Sequence, residues 1–572
     1  MYDLVIRGGR IIDGTGLPAF HADLAIKGGR IARIGRVGAS TGAREIDARG
    51  KIVTPGFIDG HTHYDAQLNW DPYLTNSSTH GVTSVVMGNC GFSIAPVRPG
   101  EKAMVTRNLE RAEDISAEAM ELGVDWSWEH FTEYMERVDA LPKALNCAVN
   151  VGHSALRTWA MGTRAFTETA SDDELALMRE ELRAAIRAGA IGFTTSRTEN
   201  HQTADDRPVA SRLAAWSEVE ALVDVLGEEK SGIFELAVED EMRSNDAAAR
   251  TESIDRLAAL TIRTGVPLTF GMHLGSFHSV DTIPEVLDRV SAMNDAGGRV
   301  FVQSHSKGIT VLLSFETRLP FDRLPAWQAL RAKPLAEQAF MLRDPAVRRD
   351  LIAAIDAASF ERTVGADARP PEWDRIFVYD RALPPFRSLA ELAAERKQHP
   401  VEVMIEIALE HDLRIFFMQF FHPPAPAIAM QVMRHPHAIM TFSDSGAHVS
   451  QISDSSIQTH LLAYWTRSVG AFGLEEAVRM VTLAPARAWG FTDRGQLREG
   501  AAADINVIDL ERLLPQIPAL AHDLPGGGPR LVQACAGMVA TVVNGEVILE
   551  DGVPTGALPG KLLRAATAVA AG

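Results

Sequence analysis

Between two β-rich ends, this chain alternates eight short apolar, strand-like runs with helical patterns, and that alternation limits its fold more than any other feature. The runs end at Asp59, Gly88, Val151, Thr195, Ala237, Phe270, Gln303 and Ser443. Helical signals fall between them. Ser171-Asp172-Asp173-Glu174 has capping-box spacing, Leu175, Met178, Leu182 and Ile186 follow at helical intervals, and Gly189 closes the segment. The reading is α/β: a (β/α)8 TIM-like barrel, whose chemistry sits at the C-terminal ends of its strands.

The two ends of the chain read alike. Leu4-Val5-Ile6, Gly9-Arg10-Ile11-Ile12-Asp13, Ala25-Ile26 and Arg30-Ile31-Ala32-Arg33-Ile34 are short β-rich runs split by Gly-Gly pairs. Ile505-Asn506-Val507-Ile508 and the run from Val539 to Ile548 repeat that texture. Residues 1–54 and 490–572 are therefore expected to complete one small β-sandwich, a structural support for a barrel spanning 55–489. The segment at about 311–400 is rich in Pro and Arg and too long for an ordinary loop. It reads as a mostly helical insert acting as a lid.

Composition narrows the partners. The 572 residues carry 56 Lys and Arg against 74 Asp and Glu, a formal charge of −18, which argues against nucleic acid. No run is apolar enough to span a bilayer, so no membrane partner is expected, and Met1-Tyr2-Asp3-Leu4-Val5 lacks the pattern of a secretion signal. Three cysteines, Cys90, Cys147 and Cys535, cannot build a disulfide framework. A cytoplasmic enzyme acting on a small-molecule substrate, anionic groups included, is the expectation, and a homo-oligomer is compatible with it.

The strand ends carry the chemistry. His61 and His63 lie two apart after the first run, so an extended backbone aims both imidazoles to one side, as a zinc-type site requires. Cys90, in Gly88-Asn89-Cys90-Gly91-Phe92 after the second run, is a candidate thiolate ligand, a buried inert thiol being the plain alternative. Asp444, in Phe442-Ser443-Asp444-Ser445-Gly446-Ala447-His448, is the candidate general acid/base and a further metal ligand. His153 and Arg157 follow the third run, Arg197 the fourth, and Lys307 the seventh. These four are candidate substrate contacts, since guanidinium and ammonium groups bind carboxylates, with ordinary ion pairing as the alternative.

The segment Pro55-Gly56-Phe57-Ile58-Asp59-Gly60-His61-Thr62-His63, framed by terminal β pieces, resembles the amidohydrolase superfamily. Gly88-Asn89-Cys90-Gly91-Phe92, Val151-Gly152-His153-Ser154, Ser443-Asp444-Ser445-Gly446 and a tail containing Ala484-Pro485-Ala486-Arg487 are similar to its N-acyl-D-amino-acid deacylase (D-aminoacylase-like) branch. The resemblance implies a zinc-type divalent metal, a barrel with a sandwich, and hydrolysis of an amide bond in an N-acyl amino acid or related N-acyl compound. It also implies that Cys90 replaces the carboxylated lysine of other members, and Ala190 to Arg197 indeed contains no lysine.

The middle of the chain departs from the branch, which uses one histidine from strand five and another, with a lysine close behind, from strand six. By strand count, strand five reads Gly232-Ile233-Phe234-Glu235-Leu236-Ala237-Val238 with no histidine, and strand six ends near His273 with no lysine beside it. A second register makes His273 the strand-five ligand and His305, in Gln303-Ser304-His305-Ser306-Lys307-Gly308, the strand-six ligand, but it must find strand seven elsewhere. The strand count is preferred, with His273 and His305 kept as candidate ligands. His61, His63, Asp444 and Cys90 then offer four donors, enough for one tightly held zinc-type ion per chain. The other readings are hydrolysis of a cyclic amide, carbamate, anilide or ester on the same scaffold, and a binding relative without catalysis.

Overall fold

The computed structural model describes residues 1–272, 274, 279–360, 370–422, 424–451 and 454–565. Eight parallel strands pair in chain order: β1 (Phe57–Asp59, continued by His61–Thr62), β2 (Val82–Met87), β3 (Asn146–Gly152), β4 (Gly192–Ser196), β5 (Ile233–Ala237), β6 (Leu268–Gly271), β7 (Val300–Ser304) and β8 (Ala438–Met440, continued by Phe442–Ser445). The ring closes where the second half of β8 meets the second half of β1, Phe442 opposite His61 and Ser445 opposite Thr62. Every residue of β2, β3 and β4 is buried. That is the behaviour of parallel strands walled by helices on one side and filled by side chains on the other. The strand count from sequence holds, with β5 carrying Glu235 and no histidine.

The terminal segments share one nine-stranded sheet. Strands within 2–55 meet strands within 505–554 where Ile52–Pro55 pairs antiparallel with Ile505–Ile508. Apolar side chains from both ends, among them Leu4, Ile26, Val53, Ile505 and Val542, pack into a core of their own. At roughly 25 cal/mol per Å2 of apolar surface removed from water, this shared core ties the first and last parts of the chain together.

The insert is wider than the sequence suggests and is not purely helical. Thr310–Leu313, Phe417–Phe420 and Ile376–Val378 form a three-stranded antiparallel sheet, with helices between them such as Pro345–Asp356 and Pro400–Glu410. The reason is geometric. The insert leaves and rejoins the barrel at neighbouring points, so its first and last strands, Thr310 opposite Phe420, zip its base shut. Trp327, fully buried against Phe321, centres a separate hydrophobic core.

Gly60 sets the kink that splits β1 and turns His61 inward. A Cβ there would lie 1.9 Å from the Trp489 indole nitrogen and 2.6 Å from Thr441 Oγ1, and the Gly60 N–H donates to that same Thr441 oxygen. Gly60→Ala is expected to cost about 1–3 kcal/mol of stability through overpacking, read as a lowered midpoint in denaturant; an unchanged midpoint would contradict the close approach.

Candidate metal centre

β1 and β8 deliver the first three groups. The His61 Nδ1 lies 2.6 Å from the Oε1 of Gln303, the inward side chain of β7. An amide oxygen only accepts, so Nδ1 carries the proton and Nε2 keeps its lone pair, which faces Cys90 Sγ at 3.3 Å and Asp444 Oδ1 at 3.6 Å. His63 is fastened by its backbone N–H to the Ser445 carbonyl, and its Nε2 stands 3.0 Å from Asp444 Oδ1. The separation is short but the alignment is not that of a hydrogen bond, so both His63 nitrogens and Asp444 Oδ1 are buried without a hydrogen-bond partner.

Cys90 arrives on a tight turn after β2. Its φ of 55° lies in the left-handed region, uncommon for a residue with a side chain, and Asp444 at 59° shares it. Such backbone is held by its surroundings. Here the Cys90 N–H donates to Glu235 Oε2 at 2.8 Å, and Gly91 packs so closely on β4 that a Cβ would meet Ser196 N at 2.7 Å. Glu235 is thus what strand five contributes in place of a histidine: a buried carboxyl group that seats the cysteine, with its other oxygen 3.9 Å from His61 Nδ1.

Among the described residues, three overlapping sets of donor atoms each gather within 4.8 Å: His61 with His63 and Cys90, His63 with Glu113 and Asp444, and Cys90 with Glu113 and His201. Glu113 and His201 were not picked out as ligands from sequence. His201 lies in the loop that follows β4, and nothing local marks Glu113, which also lies in a loop and reaches the site only through the fold. His448 also faces the cluster, its Nε2 3.7 Å from Asp444 Oδ2.

The electrostatics explain what this cluster is built for. Burial, aided by Glu235, Glu113 and Asp444, pushes the Cys90 thiol well above its ordinary value. Burial also lifts Glu113 and Glu235 to about 8, and lowers His61 to about 4. His63 is instead raised to about 9, because Glu113, Asp444 and Asp65 outweigh its burial. Burial opposes ionisation of Asp444, yet His63, His448 and His61 hold its carboxyl well below the usual range. A thiol, three carboxyls and four imidazoles crowd a space short of positive charge. Borderline donors of this kind suit a zinc-type cation, whose charge favours the deprotonated thiol and carboxyls. The unpartnered Asp444, Glu113 and His63 atoms are the ones that would accept it.

The remaining candidates fall elsewhere. His153 and Arg157 are fully buried and both bind Glu218, at 2.8 and 2.5 Å, with His153 Nδ1 on Thr195 Oγ1. They form an internal ion network that holds Glu218 at about 2 despite its burial, so the expectation of substrate contacts gives way to a structural one. Arg197 binds Glu239 at 3.0 Å and the Ala214 carbonyl, beneath Trp216. Lys307 pairs with buried Asp454 at 3.1 Å. His305 does not join the donor cluster. Its Nδ1 accepts the Lys307 backbone N–H, leaving the proton on Nε2, which points toward Asp454 Oδ2 at 3.9 Å rather than offering a lone pair to a metal. His273 lies outside the described residues.

Comparison with known proteins gives the family and the fold. Residues 44–549 match the Amidohydrolase family. The chain is 28% identical to a D-aminoacylase of Alcaligenes xylosoxydans xylosoxydans over 98% of its own length and 97% of the relative's. It superposes with a TM-score of 0.64 on an N-acyl-D-glutamate deacylase of Bordetella bronchiseptica solved with zinc and a phosphonate mimic of the tetrahedral intermediate, at 25% identity over 98% of this chain and 99% of that one. A D-aminoacylase with a binuclear metal centre superposes at 0.66, with 24% identity over 99% and 100% of the two chains.

If Glu235 seats Cys90, its acceptor oxygen matters more than its charge. Glu235→Gln keeps an oxygen for the Cys90 N–H and is expected to retain metal. Glu235→Ala leaves that buried N–H unpaired at a cost of about 1–3 kcal/mol and is expected to lower both stability and zinc content; equal zinc in the two variants would refute the role.

Proposed function

The chain belongs to the amidohydrolase family, and from that footing we propose that it hydrolyses the amide bond of an N-acyl amino acid or a related N-acyl compound. The observation that carries the reading is Asp444. Its Oδ1 is buried without a hydrogen-bond partner 3.0 Å from His63 Nε2, while the residue lines a cavity at the barrel's C-terminal face. His61, His63, Cys90 and Asp444 would hold a divalent metal of the zinc type, which when bound acidifies a water and polarises the scissile carbonyl.

The protein's own groups do the rest. Asp444, kept ionised by the surrounding imidazoles, takes the proton from the attacking water and returns one to the leaving nitrogen. Gln303 fixes the His61 tautomer so that Nε2 faces the centre, the orienting role such neighbours play around metal-binding histidines. The insert would act as the lid over the mouth. It is anchored near the site by Arg318 on Asp114 and by the Leu312 N–H on the Gln451 carbonyl. A second reading, hydrolysis of a cyclic amide, carbamate, anilide or ester, draws support from the pairing of Lys307 with Asp454, which commits the ammonium nearest Asp454 among the described residues. Three free, buried cysteines fit the proposed cytoplasmic location.

A panel of N-acyl amino acids, N-acyl amines, cyclic imides, carbamates and esters tests the reaction class. On the best substrate of the panel, Asp444→Asn is expected to leave the fold intact and to reduce kcat by at least about a hundredfold. A folded, metal-loaded Asp444→Asn protein with near-normal turnover would end the assignment.

Metal count is the second test. We propose one tightly held ion per chain, with Glu113 and His201 completing its surroundings. Elemental analysis of the purified protein is expected to find one equivalent of zinc-type metal, and less after Cys90→Ala. Two tightly bound equivalents would make Glu113 and His201 ligands of a second ion, and full occupancy without Cys90 would remove the thiolate from the metal.

A further inference from the structure

The cavity beside Asp444 is bordered by Gln67, Asn76, Asp444, Asp454, Ser455 and Arg530, among others, and its charges are already spoken for. Arg530 is the cation on its wall. Its Nε and Nη2 fork onto Asp523 at 2.7 and 2.9 Å, and its Nη1 meets the Thr75 carbonyl at 3.0 Å and Asp71 at 3.3 Å. All three guanidinium nitrogens are therefore engaged. Lys307, the neighbouring ammonium, is bound to Asp454 Oδ1 at 3.1 Å. A substrate carboxylate placed here would meet Asp444 and Asp454 without an uncommitted cation to receive it among the described residues.

Asp454, which lines the cavity, and His305, which lies next to Asp454, leave open something of another kind. Asp454 is almost completely buried, and its second oxygen, Oδ2, has no hydrogen-bond partner. His305 Nε2, a donor by the tautomer its Nδ1 contact requires, is also buried and unpartnered, 3.9 Å from that oxygen. This is too far for a hydrogen bond, and it matches two legs of about 2.8–2.9 Å to one bridging polar group. Buried donors and acceptors are rarely left unmatched. One acceptor and one donor facing each other suit a group that itself both gives and receives a hydrogen bond.

Resting on the amide-hydrolase reading above, we infer that the substrate portion seated between Asp444 and Asp454 is an uncharged hydrogen-bonding group such as a carboxamide or hydroxyl, not a carboxylate. The chain then prefers N-acyl compounds whose amine part is neutral over free N-acyl amino acids. Asp454 and His305 are the specificity-determining residues. Asp454 neutralises Lys307 and presents Oδ2 to an N–H or O–H, while His305 donates to the group's oxygen.

The test uses matched pairs, an N-acyl amino acid and its primary amide in both enantiomeric forms, with the metal-loaded full chain. Dissociation constants from calorimetry and kcat/KM from amine release are both measured. The amide is expected to bind at least tenfold more tightly than the acid, with the difference residing in KM where turnover occurs. Asp454→Asn frees the Lys307 ammonium and is expected to shift the preference at least tenfold toward the acid. The double variant Lys307→Gln/Asp454→Asn removes both charges together and should restore rejection of the acid, which keeps the comparison valid if the single variant folds poorly. Equal or tighter binding of the free acid by the native protein overturns the inference, as does failure of both compounds to bind. Preferential binding of the amide without turnover of any compound would instead overturn the proposed reaction and leave the specificity standing.

Discussion

The site depends on one imbalance: a knot of buried acids and imidazoles with too little positive charge. Cys90, Glu113 and Glu235 are all pushed toward their neutral forms by burial and by one another, while Asp444 is held ionised by His63, His448 and His61. Burying unpaired charge is expensive, and proteins escape by neutralising the group or supplying a counter-ion. A divalent cation resolves the conflict in one step, because its field favours the thiolate and carboxylate forms together. The strained backbone at Cys90 and Asp444 belongs to the same picture, since both residues are bent into place for their side chains.

The barrel is what makes such a concentration of charge affordable. Closure through Phe442–His61 and Ser445–Thr62 brings the first and last strands side by side, so groups separated by nearly four hundred residues become neighbours. Second contacts then fix the donors. Gln303 orients His61, Glu235 seats Cys90, and Ser445 anchors His63. The terminal sheet and the insert, each with its own apolar core, flank this arrangement, and among the described residues neither contributes to the donor cluster.

Polar residues inside this molecule sort into two kinds. His153, Arg157 and Glu218 bind one another with Arg157 Nε alone among their side-chain atoms left buried and unpartnered, which is how a structural ion cluster behaves. Asp444, His63, Glu113, Asp454 and His305 keep buried atoms unpartnered. Around Asp444 and Asp454 we read these open atoms as the places for a metal and for a polar substrate group.

Much of this was legible from the sequence alone. The alternation of apolar runs and helical patterns set eight strands, and the strand ends named His61, His63, Cys90 and Asp444, because extended backbone and barrel architecture dictate where those side chains point. Glu235 and Gln303 were legible in principle, as polar residues inside otherwise apolar strands, though neither is of a residue type that marks a metal ligand by itself. Glu113, His201 and the reach of Arg530 into the cavity had no local signature, since loops and the distant C-terminal segment converge only when the barrel closes. Whether a charged residue serves a substrate or the fold was also undecidable from spacing. Arg157 and Lys307 looked equivalent in sequence, and only three-dimensional pairing, one with Glu218 and the other with Asp454, told what each charge is spent on.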